Sequence, residues 1–267
     1  MTTLTKHHGL GNDFLVAFEP GVSDLAATAR RLCHRTTGIG ADGLLVGELT
    51  TADGHDARML LFNADGSRAE MSGNGIRCFA QALAMSRSSL ATQSILTDAG
   101  ARHVELRPTE DPSTILASVD MGDVGRRSEP DGWAAIGTNP DRPVAHLDLG
   151  NPHTVVAVDD VASIDLLTLG RRVPQVNLEI IEAGPEPDAI TMRVHERGAG
   201  ITRACGTGAV AAAWAAAEWG LVRADAAELV VHMDGGSARV ALHRPGPGRA
   251  TLTGPATFVA TIEVPDL

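Results

Sequence analysis

The chain has 267 residues, a formal net charge of −11 and a hydrophobic share of 43%, which suits one large domain or two of ordinary size, each with its own core. The acidic balance and the scarcity of aromatic residues (no Tyr, 5 Phe, 3 Trp) argue against nucleic-acid partners, by charge and by stacking. Three widely spaced cysteines, Cys33, Cys78 and Cys205, imply no disulfide framework.

Residues 2–18 read as two short strands around the turn GLGN, with no apolar targeting segment ahead of them. Ser23 is placed to cap a helix over 24–33 (DLAATARRLC). GIGADG at 38–43 matches G-x-G-x-x-G, but it leads into LLVGEL, a strand pattern, so it is not a dinucleotide fingerprint. Residues 59–62 form a strand delivering Asn63, a helix starts at Ser72, and strands follow at 94–97, 103–106 and 115–120. The polar turn 109–113 (TEDPS) is the expected crossing between halves. Beyond it, two strands flank Gly150-Asn151, 164–172 form a short helix and 175–182 a strand carrying Asn177. A strand over 192–196 ends in charge, a glycine-rich turn leads to Cys205 and an alanine-rich helix, and strands follow at 228–233, 238–242 and 257–264. The longest apolar run, 209–217, is far short of the roughly 20 residues that cross a membrane as a helix. A cytoplasmic setting is therefore expected.

The chain states one pattern twice. SGNGIRCFAQALA at 72–84 lies over CGTGAVAAAWAAA at 205–217, G-x-G in register, and Gly11-Asn12 has a counterpart in Gly150-Asn151. The expected fold is α+β: two pseudo-symmetric domains, each a strand-rich layer around a central helix, with the active site in the cleft between them. The expected halves are 1–112, joined by a C-terminal strand at 256–267, and 113–255. A helix start presents unpaired N–H groups and a positive dipole end, a site for an anion such as an α-carboxylate. The same placement lowers a thiol's pKa, which makes Cys205 a candidate reactive thiolate. The histidines lack zinc spacings, neither G-x-G is a P-loop, and no lysine stands in a Schiff-base setting, so no metal or cofactor is expected.

GLGNDF, FNADGS, SGNGIRCFA, LGNPH, QVN and HERGAGITRACGTGA, in this order and across essentially the whole chain, resemble the diaminopimelate epimerase family. The resemblance implies cofactor-independent inversion of one α-carbon, converting LL-2,6-diaminopimelate to the meso form for lysine and peptidoglycan synthesis, in a homodimer. It implies two catalytic cysteines, one removing and one returning the α-proton; Cys205 matches one of them. It maps substrate ligands onto Asn12, Asn63, Asn151, Asn177, Glu196 and Arg197, and a carboxylate-holding set of backbone N–H groups onto Gly73, Asn74, Gly206 and Thr207. His153 is either a satisfied core residue or a group that orients the acid/base pair.

One position departs from the family: the second cysteine is Ser72. Cys78 is six residues on, nearly two turns down the helix, and is expected to pack inward. A hydroxyl ionises far above the thiol range near 8.5 and is a poor base for a carbon acid, though it can donate or relay a proton. Gly43 is a smaller departure, at a position where some members carry glutamine. Two other readings stay open at this point: a proline-racemase-like racemase or dehydratase acting on another amino acid, and a catalytically silent binding protein.

Overall fold

The computed structural model describes residues 1–49, 54–136, 141–223, 225–243 and 248–265; the last two residues of the expected 256–267 strand lie outside them. The chain divides into two compact units, Met1–Val119 with Gly254–Leu267, and Asp120–Thr253.

Unit 1 holds β1 (Thr2–Gly9), β2 (Asn12–Phe18), α1 (Leu25–Cys33), β3 (Gly43–Glu48), β4 (Ala57–Asn63), β5 (Arg68–Ala69), α2 (Gly73–Arg87), β6 (Gln93–Thr97), β7 (Gly100–Pro108) and the start of β8 (Thr114–Asp123). β1 and β2 form a hairpin, β2 runs parallel to β3, β3 antiparallel to β4, and β4 parallel to β6, with β6, β7 and β8 continuing antiparallel. Parallel neighbours need a crossover; α1 supplies the first and α2 the second. Every residue of α2 from Gly73 to Ala84 is buried, a helix wrapped by its surroundings whose buried polar side chains are Asn74, Arg77 and Gln81. Ser88, in the left-handed region at φ 51, ends α2 with its N–H directed to the carbonyls of Ala84 and Met85. The cap of α1 differs from expectation. Asp24, not Ser23, holds the first turn, its Oδ1 accepting from Ala27 N–H at 2.9 Å. A carboxylate there accepts the hydrogen bond and also complements the helix dipole.

Unit 2 repeats the plan: β9 (Gly125–Arg126), β10 (Val144–Asp148), β11 (Pro152–Ala157), α3 (Leu166–Gly170), β12 (Asn177–Ala183), β13 (Ala189–Glu196), β14 (Gly200–Thr202), α4 (Gly206–Glu218), β15 (Leu229–Met233), β16 (Gly236–Leu242) and the first part of β17 (Arg249–Val264). β10 to β11 is antiparallel, β11 to β12 parallel, β12 to β13 antiparallel, β13 to β15 parallel, and β15 to β16 to β17 antiparallel. That is the pairing order of unit 1. The later part of β17 pairs with β1 in unit 1. The fold is the strand-rich α+β arrangement expected, two units of one plan with a single long buried helix in each. No helix among the described residues is long and apolar enough to cross a membrane.

The shared register fixes which positions correspond. Phe14 faces Gly43 where His153 faces Asn177, and Gly43 faces Asn63. Leu178 faces His195, so along the same antiparallel pair Asn177 meets Glu196. Leu45 of unit 1 therefore stands where unit 2 has Glu179, and Asn63 where it has Glu196.

His7 on β1 is fully buried beneath α2, its Nδ1 2.8 Å from Gln81 Oε1 and its Nε2 buried without a partner. Gln81 turns its amide nitrogen to Ser113 O at 2.8 Å, so Nδ1 of His7 carries the proton. Burial lowers the His7 pKa from 6.5 to about 4. A histidine depressed in the folded state contributes stability that is complete above pH 6.5 and is lost as pH falls toward 4. The shift corresponds to roughly 3 kcal/mol. Acid titration of unfolding free energy is expected to show this loss between pH 6.5 and 4 in the wild type and not in His7→Met; equal slopes in both would contradict the assignment.

Candidate active site

Cys205 is the N-cap of α4, extended at φ −129 and ψ 117, and its Sγ accepts the Gly208 N–H at 3.4 Å. Thr207 Oγ1 lies 3.6 Å from the sulfur and receives Asn151 Nδ2 at 3.2 Å. Asn151 Oδ1 then faces His153 Nε2 at 3.0 Å, and His153 Nδ1 faces Glu179 Oε1 at 2.7 Å. One connected set thus runs from the thiol through Thr207, Asn151 and His153 to Glu179. With Nε2 donating to Asn151, the short Nδ1–Oε1 contact ties the ring directly to Glu179. His153 and Glu179 are 1% and 0% exposed, and Glu179 Oε2 is buried without a partner. A buried acid with an orphan oxygen is costly, and here it lies beside the thiol. A Cβ added at Gly208 would stand 2.7 Å from Glu179 Oε1 and 3.2 Å from Cys205 Sγ, so only glycine lets the strand carboxylate approach the helix start this closely.

Glu196, at the end of β13, accepts from the Thr202 hydroxyl and is partly buried. Burial raises its pKa, opposed by hydrogen bonds from Thr202 and Cys205. The adjacent Arg197 is exposed, and its N–H donates to Asn177 Oδ1 at 2.8 Å. Asn177 itself is 4% exposed. Unit 2 therefore brings together Cys205, Gly206, Thr207, Asn151, His153, Asn177, Glu196 and the Arg197 backbone.

The expected low thiol pKa is reversed. Burial pushes the Cys205 thiol well up, and the Glu196 and Glu179 charges push it further. A helix terminus supplies at most about 2 kcal/mol, roughly 1.5 pKa units, whereas desolvation alone moves a buried group by about 3–5 units. Burial wins, and the resting sulfur is a thiol.

In unit 1 the corresponding cap is Ser72, at φ −140 and ψ 122, its Oγ accepting from Gly75 N–H at 3.0 Å. Asn74 Nδ2 donates to Asn12 Oδ1 at 3.1 Å. Asn63 donates to Ser67 Oγ within its own turn at 3.0 Å. A Cβ at Gly75 would meet Ser72 Cβ at 3.1 Å and Leu45 Cδ2 at 3.4 Å, so a leucine occupies the place of Glu179. Cys78 is fully buried and its thiol is pushed up to about 12, which makes it inert. Glu179, Thr202, Asp42 and Arg77 are site neighbours that the motifs did not single out. For Arg77 the signal was present, the one charge inside the buried stretch of its helix.

A family model described as diaminopimelate epimerase matches residues 4–126 and 146–259. The chain is 37% identical over 284 residues to a diaminopimelate epimerase of Halothermothrix orenii, covering 97% of this chain and 96% of the relative. It is 39% identical over 280 residues to that of Thermobifida fusca, with coverage of 97% and 96%. Among solved structures, a PhzF-family phenazine biosynthesis protein from Bacillus anthracis superposes with TM-score 0.75 at 14% identity, covering 98% of each chain. A hydroxyproline epimerase from Agrobacterium vitis does so with TM-score 0.68 at 16% identity, covering 98% and 90%; at these identities the likeness is one of fold. The sequence matches, running nearly end to end, go further: the chain belongs to the diaminopimelate epimerase family of isomerases.

Proposed function

We propose that the protein epimerises LL-2,6-diaminopimelate to the meso form without a cofactor, with Cys205 as its one thiol acid/base and Ser72 in a lesser role. The observation that carries this reading is the Cys205 cap beside two carboxylates, Glu179 and Glu196. An α-amino acid offers a carboxylate, an ammonium and an acidic C–H on one carbon. The first-turn amides of α4, at Gly206 and Thr207, suit the carboxylate. The local negative charge suits the ammonium. As that cation approaches, the charge holding the sulfur protonated is offset. The thiol proton passes to Glu196, which already shares a hydrogen bond with it, and the thiolate takes the α-proton. The carbanion forms next to amides that stabilise the developing enediolate charge.

Inversion requires a second proton transfer: the Ser72 hydroxyl gives its proton to the carbanion as it takes one from water, and the proton held on Glu196 returns to solvent, which closes the balance. Asn12, Asn63, Asn74, Gly73, Asn151, Asn177 and Arg197 are the proposed substrate ligands, Arg197 for the distal carboxylate by its fork of donors. His153 orients Asn151 and links it to Glu179. A cytoplasmic homodimer belongs to the same proposal and rests on the family likeness. The test is purified protein with LL-diaminopimelate in buffer without added cofactor, followed by chiral chromatography. Meso product that grows with enzyme concentration is expected; its absence, with no α-deuterium uptake in D₂O, would reject the reading.

A further inference from the structure

Arg77 is 0% exposed, in the second turn of a helix whose other buried residues are otherwise uncharged. Its Nη1 donates to Gly73 O at 3.1 Å, its Nε to Pro255 O at 3.3 Å, and its Nη2 to Asn74 Oδ1 at 2.7 Å. Asn74, 1% exposed, passes the bond on: its Nδ2 donates to Asn12 Oδ1 at 3.1 Å, and Asn12 Nδ2 donates to Asp42 Oδ2 at 2.7 Å. Asp42 Oδ2 also accepts Asp13 N–H at 3.0 Å, and its Oδ1 accepts Arg35 Nη2 at 2.6 Å.

The two ends of this chain have a single polarity each. A guanidinium only donates and a carboxylate only accepts. The oxygen of Asn74 must therefore face Arg77, its nitrogen must face Asn12, and the nitrogen of Asn12 must face Asp42. Neither amide can flip while both ends stand. Unit 2 is built otherwise, since position 210 is valine and the Asn151 amide lies between Thr207 and His153, groups that can each donate or accept. Space for the guanidinium is kept by two glycines: a Cβ at Gly9 would stand 3.2 Å from Nη2, and one at Gly254 3.0 Å from Cζ.

We infer that Arg77 is a positioning residue which, with Asp42 at the far end, fixes the amide orientation of Asn74 and Asn12 and so the donor pattern that these two offer the substrate. The inference rests on the reading that they are substrate ligands. The test uses Arg77→Met, Arg77→Lys and Asp42→Asn in the full-length protein. Arg77→Met is expected to raise KM for LL-diaminopimelate about tenfold or more with a smaller change in kcat. Arg77→Lys, which keeps a donor-only group, is expected to recover most of that loss. Side-chain amide exchange by ¹⁵N NMR gives a readout that needs no turnover: the Nδ2 protons of Asn12 and Asn74 should exchange at least about tenfold faster in Arg77→Met and Asp42→Asn. If Arg77→Met does not fold, Asp42→Asn, altered at the more exposed end, decides alone. Unchanged KM, or unchanged amide exchange, in a folded variant would overturn the inference. Faster exchange in the variants of a wild-type protein that does not epimerise diaminopimelate would leave the fixed amides standing and reject the substrate reading instead.

Discussion

Replacing Cys205 by alanine is expected to lower kcat/KM for LL-diaminopimelate by about 10³-fold, the scale on which a positioned acid/base group contributes. The effect should fall almost wholly on kcat. The proposed ligands of the substrate are amides, backbone N–H groups and Arg197, and alanine leaves all of them in place. Neither of the other two cysteines can stand in for the sulfur. Cys78 is buried with its thiol near 12, and Cys33 is likewise buried, its thiol pushed up to about 12. Substrate affinity measured by calorimetry should stay within about threefold of wild type, since a group acting in the transition state alone adds little to ground-state binding. Activity kept within a few-fold would mean that the α-proton is moved by another group.

Ser72→Cys should raise kcat by about tenfold or more, by supplying a second sulfur of ordinary acid/base competence. The position is shaped for it. Ser72 and Cys205 cap their helices with nearly the same backbone, φ −140 and ψ 122 against φ −129 and ψ 117, and each accepts the N–H three residues on. A thiol at 72 would also be the more acidic of the two. Where Cys205 faces Glu179 and Glu196, position 72 has Leu45 and Asn63 in the corresponding places, and the buried Arg77 guanidinium stands one turn further along its helix. Position 72 is also only partly buried where Cys205 is buried, so the desolvation and the opposing charges that raise Cys205 are both weaker there, and the helix terminus counts for more. Alkylation by iodoacetamide across pH should therefore show a new group titrating below Cys205. An Ser72→Cys protein that folds, alkylates and yet gains no activity would show that position 72 is not used in proton transfer.

The repeat was legible because helix starts and tight turns rest on glycine, and glycine cannot be exchanged where a side chain would strike a neighbour. The turn before Asn12 is an example, with Leu10 at φ 56 and Gly11 at φ 81, both in the left-handed region that a two-residue hairpin requires. Gly208 is another, pressed against Glu179. The protonation of Cys205 was not legible. It depends first on burial of the helix start and then on carboxylates delivered by two different strands, β12 and β13, and no spacing along the chain brings Glu179 and Cys205 together. The α1 cap was misread because two good caps, Ser23 and Asp24, stand side by side, and only the first-turn geometry chooses between them. The role of Arg77 was not legible, because its burial and its contact with Pro255 O come from the fold, although a charge among buried residues must find partners.

The measurement that bears most directly on Cys205 as the one carbon-acid base is the initial rate of α-deuterium uptake in D₂O, followed by NMR separately from LL- and from meso-diaminopimelate. A single thiol reaches the α-proton of one stereoisomer and not of its epimer, so uptake into one is expected to exceed uptake into the other by about tenfold or more. Equal rates from the two isomers would contradict it and would place a second competent base in the site.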